Sequence, residues 1–351
     1  MSAFVIVFCV TVVTCLVIVM TQHWHGHVSV DSTFGVQKVH VGPTTRIGGV
    51  AVAAGLLAGY ALSAPAVRSL LGVALLAAIP AFAAGTLEDL TKKVSVLPRL
   101  LATMVSGLIV CWLTGTAMQN TGVPPLDWLL GYFPVAMLFT AFAVGGVANA
   151  INIIDGFNGL ASGAVAIMLG AFGLIALHVG DVPLSTVCYL LISIMLGFGA
   201  LNWPMGYLFL GDGGAYLVGF LLAWVAVLLP MRNHGLTAWV SLLVCAYPVL
   251  EVAFSYRRKT VRVGHHPGQP DRVHLHMLIY RRVSRQLLPN ASTRLQNGLT
   301  SPFCWLMTAL PASLAVVFAD NNAKLAACCV AFAIIYALVY HRLTRFRWQF
   351  W

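Results

Sequence analysis

Apolar segments long enough to cross a lipid bilayer recur from one end of this sequence to the other. A transmembrane helix needs about 20 mainly apolar residues, and eleven segments approach or reach that length. They lie at 2–20, 46–64, 69–87, 98–117, 130–148, 159–178, 183–201, 213–230, 237–254, 301–319 and 322–340. We therefore expect an all-α, polytopic integral membrane protein with about 11 transmembrane helices. Since no stretch remains for a soluble domain, we expect a single transmembrane domain over residues 1–351.

The composition excludes a water-soluble fold. Of the 351 residues, 60% are hydrophobic and only 9% are charged, and the mean hydropathy is +0.88. Soluble domains need roughly a quarter of their residues charged. The first segment has no basic leader and no small-residue cleavage site, so we expect a retained helix. The eight cysteines lie in apolar stretches without a CxxC pair, which indicates packing or lipid-facing residues and neither disulfides nor zinc.

The basic residues predict the orientation in the membrane. If the N-terminus faces outward, seventeen of the twenty Lys and Arg residues fall on one side, and only Arg68, Arg232 and Lys324 fall on the other. Cytoplasmic loops are enriched in Lys and Arg, so the basic side is predicted to be cytoplasmic. An odd number of spans then places the C-terminus in the cytoplasm. The net charge of +10 is therefore explained by basic inner loops beside membrane lipids, and it does not indicate nucleic-acid binding.

Four acidic residues gather at the predicted cytoplasmic ends of separate spans. Glu88 and Asp89 lie in GTLEDL, Asp155 in NAINIIDGFNGL and Asp212 in NWPMGYLFLGDGGAYLVGF. Carboxylates beside a bilayer carry a desolvation cost, so they point to function. Clustered carboxylates with Asn oxygens suit Mg²⁺, which commonly bridges protein carboxylates to substrate phosphates. A basic loop with HHPGQPDRVHLHML at 265–278 supplies counter-charge. The pattern predicts metal-assisted phosphoryl transfer at the membrane–cytoplasm boundary.

Structural explanations exist for several polar residues. Each acidic loop taken alone is compatible with an ordinary polar helix end, and HWHGH at 23–27 is read as an interfacial loop. Glu251 is expected to pair with Arg257 or Arg258 near the inner interface. The outer acids, Asp127, Asp181 and Asp320, are expected to be solvated. A secondary transporter is the alternative class, but transporters keep ionisable sites near the bilayer midplane, whereas these carboxylates lie at one face.

Five motifs in order identify a family. The motifs are PTTRIGG, GTLEDL, NAINIIDGFNGLASG, NWPMGYLFLGDGGAYLVGF and DRVHLHMLIYRR. Together they make the chain similar to the polyprenyl-phosphate N-acetylhexosamine-1-phosphate transferases of bacterial inner membranes. That superfamily contains the undecaprenyl-phosphate GlcNAc-1-phosphate transferases and the phospho-N-acetylmuramoyl-pentapeptide transferases. The resemblance covers nearly the whole chain and implies an active site at the cytoplasmic face.

The resemblance also implies roles for individual residues. Asp212 matches the ligand of Mg²⁺, for which Mn²⁺ is an alternative. Catalytic roles are implied for Glu88, Asp89, Asp155, His274 and His276, and substrate-binding roles for Lys92 or Lys93, Asn149, Asn152 and Asn202. From their position, His265 and His266 either contact the nucleotide or lie in a solvated loop, and Arg272 orients the histidines that follow it.

Two departures from the family pattern narrow the reaction. The acidic pair is Glu-Asp where the family has Asp-Asp, and HLHM lacks the three consecutive histidines of the muramoyl-pentapeptide transferases. The peptidoglycan enzyme is therefore the alternative. The preferred reaction moves N-acetylhexosamine-1-phosphate from a UDP-sugar to undecaprenyl phosphate and releases UMP, which starts O-antigen or another cell-surface polysaccharide. The donor is UDP-GlcNAc or a related UDP-amino sugar. Direct attack is favoured over a covalent intermediate, and a homodimer is left open.

Overall fold

Helices make up almost all of the regular structure in the computed structural model, which describes residues 2–31, 44–261 and 273–345. The helices are α1 (Ala3–Met20), α2 (Gln22–Ser29), α3 (Gly48–Leu62), α4 (Pro65–Thr91), α5 (Val96–Thr114), α6 (Pro124–Leu130), α7 (Phe133–Ile154), α8 (Leu160–His178), α9 (Val182–Asn202), α10 (Gly211–Arg232), α11 (Ala238–Val244), α12 (Ala246–Val261), α13 (Leu275–Ile279), α14 (Arg285–Leu287), α15 (Thr293–Gly298), α16 (Ser301–Val317) and α17 (Asn322–Thr344). A π-helical turn, Tyr280–Ser284, joins α13 to α14. Two short strands, β1 (Val30–Asp31) and β2 (Thr44–Thr45), pair antiparallel.

The expectation of an all-α, polytopic membrane protein is confirmed. Among the described residues, nine helices are long and apolar enough to cross a bilayer, and α11 with α12 forms a tenth candidate that bends by 76°. The remaining predicted segment contains α3, which has only 15 residues. Every predicted segment therefore holds a helix. Nine or ten of the described helices are long and apolar enough to span a membrane, and a count of eleven spans stays a prediction.

Helix α10 is the core around which the bundle is built. It packs against α3, α4, α7 and α8, and its residues are buried without interruption from Gly213 to Pro230. A helix that is apolar on all sides has to be surrounded by other helices or by lipid. The first turn of α10 carries Asp212, so the most enclosed helix of the protein also carries the predicted metal ligand.

The outer surface of the bundle is apolar. Leu76, Leu138 and Leu306 expose between 60% and 68% of their surface, which suits lipid chains better than water. Trp112 and Trp128, near the ends of α5 and α6, are more than 70% exposed. Tryptophans at the ends of transmembrane helices are typical of the membrane–water boundary.

Asp181 corrects one sequence expectation. This outer acid was expected to be solvated, but it is buried and receives two hydrogen bonds from Arg232, at 2.7 and 3.0 Å. Burial alone raises the pKa of Asp181, but the guanidinium outweighs it and holds the pKa below its ordinary value. The pair joins the start of α9 to the end of α10, at the opposite end of α10 from Asp212.

Candidate active site at the start of helix α10

Asp89 ties the end of α4 to the start of α10. Its side chain is only 2% exposed. Oδ1 accepts a hydrogen bond from the backbone N–H of Asp212 at 2.9 Å, and Oδ2 accepts one from Gly213 at 2.8 Å. The first N–H groups of a helix have no partner within the helix, and a negative charge there is favourable. Asp89 therefore holds the backbone that carries Asp212.

Glycines permit this close contact between α4 and α10. A Cβ atom at Gly85 would lie 2.6 Å from the carbonyl carbon of Asp212, which is closer than real contacts allow. Gly211 has a φ of +73°, a left-handed conformation that suits glycine. The Gly-rich sequence around the acidic residues is thus needed for backbone approach.

The carboxylate of Asp212 lies between two guanidinium groups. Arg46 Nη2 is 3.3 Å from Oδ1, and Arg99 Nη1 pairs with Oδ2. Asn152 donates a hydrogen bond from Nδ2 to Oδ1 at 3.0 Å. Arg46 also reaches Asp89 with its Nε at 3.0 Å. Asp212 keeps 15% of its side chain exposed, so a small ligand can approach it from solvent.

Tyr216, one turn after Asp212, supports the second guanidinium. The Arg99 guanidinium carbon lies 5.8 Å from the centre of the Tyr216 ring, within the range of a cation–π contact. The Tyr216 hydroxyl donates to Asn149 Oδ1 at 3.4 Å. Both predicted asparagines of α7 are thereby brought to the same site.

Asp155 follows the last residue of α7 and is half-buried. Desolvation raises the pKa of its carboxyl well above the ordinary value, the negative charge of Asp89 raises it further, and Arg46 opposes both. The carboxyl of Asp155 is therefore protonated more easily than an ordinary aspartate, a property that is frequent among residues of active sites.

Asn202 holds two loops together. It is 4% exposed; its Oδ1 accepts from the Gly159 N–H at 2.5 Å, and its Nδ2 donates to the Leu208 carbonyl at 2.7 Å. Both ends of the amide are thus used by the backbone on either side of the site. A contribution of Asn202 to the shape of the nucleotide site stays a prediction, and in this geometry it acts through those loops.

Two of the predicted site histidines, His274 and His276, lie side by side at the start of α13. His274 immediately precedes α13 and His276 lies within it. The rings are parallel, with centroids 5.3 Å apart. His276 is fully buried with its ring 5.5 Å from that of Phe157, and among the described residues neither of its ring nitrogens has a hydrogen-bond partner. Burial lowers the pKa of His276 to about 3, so this ring is neutral at physiological pH.

Other predicted residues lie farther from this group or outside the described residues. Glu88 accepts a hydrogen bond from the backbone N–H of Val94 at 2.7 Å and so closes the loop after α4. Lys92 donates to the Val30 carbonyl, and Lys93 is exposed. His265, His266 and Arg272 lie outside the described residues.

Sequence reasoning missed three residues. Arg46 and Arg99 were counted only as inner-loop charges, although Arg46 lies within PTTRIGG, which was itself a signal. Glu251 was expected to pair with Arg257 or Arg258. Its carboxylate instead accepts hydrogen bonds from His274 and from Tyr336, because α12 is turned toward α17 and the start of α13.

Comparison with known proteins shows the family to which the chain belongs. The "Undecaprenyl-phosphate alpha-N-acetylglucosaminyl 1-phosphate transferase" of Salmonella typhi is 30% identical over 253 residues, which cover 70% of this chain and 67% of that protein. The sequence model of glycosyl transferase family 4 matches residues 71–230. The chain belongs to glycosyl transferase family 4.

Two further relatives extend the comparison. The protein of the same name from Yersinia pestis is 28% identical over 253 residues, 70% of this chain and 68% of the relative. The "Probable undecaprenyl-phosphate N-acetylglucosaminyl 1-phosphate transferase" of Bacillus subtilis is 27% identical over 242 residues, 68% and 66% of the two chains. The glycosyl transferase family 4 match covers most of α4, all of α5 to α9 and most of α10, a stretch that contains Asp89, Arg99, Asp155 and Asp212.

The side chains at this family 4 site suit a metal ion that is bound by protein and substrate together. Among the described residues, no group of three or more His, Cys, Asp or Glu side chains is arranged to hold a metal ion. Mg²⁺ is usually bound by one or two carboxylates together with substrate phosphates and water, and seldom by a cage of protein ligands. One partly exposed carboxylate, Asp212, with guanidinium groups beside it, fits that shared mode.

Proposed function

We propose that this protein transfers N-acetylhexosamine-1-phosphate from a UDP-sugar to undecaprenyl phosphate and releases UMP. Three relatives are named as undecaprenyl-phosphate N-acetylglucosaminyl 1-phosphate transferases. Their names support UDP-GlcNAc as the first donor to test. The product would be the lipid-linked first sugar of O-antigen or of another cell-surface polysaccharide.

One observation supports this proposal most strongly: two carboxylates and two guanidinium groups meet at the start of the most buried helix. Asp89 and Asp212 contact Arg46, and Asp212 also pairs with Arg99. Arg46 lies just before α3 and Arg99 in the first turn of α5, both at the predicted cytoplasmic face, where a nucleotide sugar is available. Guanidinium groups bind phosphate oxygens with matching geometry, so the same side chains suit a diphosphate.

Asp212 would hold Mg²⁺, which when bound supplies charge neutralisation for the donor diphosphate. Arg46 and Arg99 then exchange part of their contact with Asp212 for contacts with phosphate oxygens. Tyr216 keeps the Arg99 guanidinium in place during that exchange. Asp89 keeps both of its oxygens on the α10 backbone and on Arg46, and so acts by holding Asp212.

The reaction is a direct displacement in this proposal. An oxygen of the acceptor phosphate forms a bond to the phosphorus that carries the sugar, and the bond from that phosphorus to the bridging oxygen breaks, so that UMP leaves with the electron pair. The acceptor phosphate is already mostly ionised and needs positioning more than activation. Asp155, with its raised pKa, accepts the remaining proton from the fraction of acceptor that is a monoanion.

The membrane arrangement completes the proposal. We place the protein in the bacterial inner membrane as a single transmembrane domain, with the N-terminus outside and the C-terminus in the cytoplasm, on the basis of the Lys and Arg distribution. Magnesium dependence, with Mn²⁺ as a substitute, belongs to the same proposal.

The test uses the purified full-length protein in lipid nanodiscs with undecaprenyl phosphate and Mg²⁺. UDP-GlcNAc, UDP-GalNAc, UDP-QuiNAc, UDP-FucNAc and UDP-MurNAc-pentapeptide are supplied separately, and UMP and the lipid product are measured by mass spectrometry. We expect one UMP per lipid diphosphate-linked amino sugar, with at least one simple N-acetylhexosamine accepted. Transfer from UDP-MurNAc-pentapeptide alone would establish the peptidoglycan alternative, and no lipid product from any donor would contradict the proposal.

A further inference from the structure

Glu251 is a buried acid that the proposed reaction has not yet used. It lies in α12 and is 1% exposed. Its Oε1 accepts hydrogen bonds from His274 Nδ1 at 2.9 Å and from the Leu275 N–H at 3.0 Å, and its Oε2 accepts one from the Tyr336 hydroxyl at 2.9 Å. A buried carboxylate is costly unless it is paired and hydrogen-bonded. All of this bonding is directed at the start of α13 and at α17.

The contact fixes which nitrogen of His274 carries a proton. A carboxylate accepts and does not donate, so Nδ1 of His274 has to be the N–H that points at Glu251. In the neutral ring, Nε2 is then the nitrogen with the free electron pair. Backbone and side chain are held together, because Glu251 also binds the N–H of Leu275, the residue that follows.

The neighbouring histidine is placed differently. His276 stacks on His274, but within the part of the chain that the structure describes its ring nitrogens have no hydrogen-bond partner, and burial keeps the ring neutral. It also lies next to the Asp155 loop, since a Cβ atom at Gly156 would be 3.5 Å from its Nε2. The stacked pair therefore connects Glu251 with the loop that carries Asp155, and His274 is the member of the pair with a charged partner.

We propose that Glu251 is a positioning residue for the transfer reaction: it holds His274 with Nδ1–H directed to its carboxylate, so that Nε2 is the nitrogen presented to the substrate. The catalytic role of His274 in this inference rests on the proposed function. Tyr336 secures the second oxygen of Glu251 and so fixes the plane of the carboxylate. Carboxylate–histidine pairs of this kind set the tautomer and raise the basicity of the ring.

Several other titratable or charged groups surround the pair. They are Tyr247 and Arg258 of α12, Cys304 of α16, Tyr336 and Tyr340 of α17, and His276 of α13. Arg258 donates to the Tyr340 hydroxyl. Within this described set, Glu251 is the carboxylate that contacts His274.

The first measurement is kcat and KM for sugar-phosphate transfer by Glu251→Gln. Gln keeps the size but carries an amide NH₂, which can donate to Nδ1 of His274 and so permits the other tautomer. We expect kcat to fall by about 10-fold or more with a smaller change in KM, because substrate still binds while Nε2 of His274 is no longer held as the nitrogen with the free electron pair.

The matched control is Tyr336→Phe, which removes one hydroxyl and keeps the Glu251 charge. We expect its kcat and KM to stay close to those of the parent. If Glu251→Gln folds and keeps the parent kcat, the proposal is wrong. A purely structural Glu251 would lower thermal stability or yield in Glu251→Gln and leave the kcat of the folded enzyme unchanged.

A second measurement does not depend on activity. The ring nitrogens of ¹⁵N-histidine-labelled protein are observed by NMR, with His274 assigned from the signal lost in His274→Asn. We expect neutral His274 to be protonated at Nδ1 in the parent and in Tyr336→Phe, and to lose this preference for Nδ1 in Glu251→Gln. Protonation at Nε2 in the parent would overturn the proposal even if Glu251→Gln fails to fold. If the parent transfers no sugar phosphate, the proposed function fails, and this spectrum still tests the Glu251–His274 contact.

Discussion

Arg99 pairs with Asp212 and stacks on Tyr216, which places a fixed guanidinium beside the proposed metal ligand. We expect Arg99→Ala to reduce kcat/KM by roughly 10- to 100-fold, because a hydrogen bond to a charged group is worth about 1.5–3 kcal/mol. The measurement is UMP release at several donor concentrations.

Lys93→Ala is the matched control for Arg99, since it removes a positive charge from the same loop region at an exposed position. We expect a change of no more than a few-fold, as isolated surface charges contribute up to about 1 kcal/mol. Equal losses in the two variants would mean that Lys93 also contributes to transfer, as the family resemblance implies for Lys92 or Lys93, and that the effect is not specific to the Arg99 contact.

Glu88 and Asp89 are adjacent in sequence but have different partners. Glu88→Gln keeps an oxygen for the Val94 N–H, so we expect activity within about threefold of the parent. Asp89→Asn places an amide NH₂ against one of the N–H groups of Asp212 and Gly213 and removes the charge facing Arg46. We expect transfer to fall by about 100-fold or more.

The same transfer assay decides between two roles for Glu88. The family resemblance implies a role in aiming or deprotonating the acceptor phosphate, and that role predicts a severe loss in Glu88→Gln. Such a loss in a correctly folded variant would contradict the loop-closing role that the contact with Val94 indicates.

At the scale of elements, the contact between α4 and α10 is the one that builds the site. We expect Gly85→Ala to push Asp212 away from Asp89, since the added methyl group would meet the Asp212 backbone at 2.6 Å. Both thermal stability and transfer should fall, with overpacking typically costing about 1–3 kcal/mol. The measurement combines melting in detergent with UMP release.

Gly170→Ala provides the control, because no heavy atom lies within 4 Å of a Cβ atom at this position in α8. We expect unchanged or slightly increased stability, since Ala favours helix formation over Gly. If Gly85→Ala behaves like Gly170→Ala, the close approach of α4 and α10 is not required.

The apolar segments predicted the helices well, because membrane-spanning helices depend on length and hydropathy. The ends of the helices were less predictable from the sequence. The segment predicted at 130–148 corresponds to α7, which ends only at Ile154, because the polar stretch NAINII resembles a loop but continues the helix into the site. Pro248 was a sequence signal for the bend between α11 and α12. Proline has no backbone N–H, so it cannot donate a helical hydrogen bond to the turn before it.

The site was predictable only in part. The Gly- and Asn-flanked acids marked Asp89, Asp155 and Asp212 because carboxylates are rare in this chain. The partners of those acids depend on which helix faces which, and one sequence does not contain that information. Arg46, Arg99 and Glu251 were therefore recognised only from the packing of α4, α5, α10, α12 and α17.

At the scale of the whole molecule, the orientation can be tested by cysteine labelling. We expect Ser95→Cys and Asn290→Cys, both at exposed positions, to react with a membrane-impermeant maleimide only after the cytoplasmic side is opened. His234→Cys, exposed near the other end of α10, should react from outside. The asymmetry of Lys and Arg is the physical reason.

A background without reactive native cysteines is needed, because Cys9 is exposed. Labelling of Ser95→Cys and His234→Cys from the same side would mean that the two ends of the bundle do not face opposite compartments. A shared cytoplasmic active face would then be excluded.

The most direct test of this account compares Asp212→Asn with the parent in the transfer assay, with UMP and the lipid-linked sugar measured together at saturating Mg²⁺. Asn keeps the size of Asp212 but removes the charge that would hold the metal, so we expect both products to fall together by at least about 100-fold. Asp320→Asn, an exposed acid at the opposite face, should transfer at the parent rate. If correctly inserted Asp212→Asn protein forms both products at the parent rate, the site at the start of α10 does not carry out the reaction.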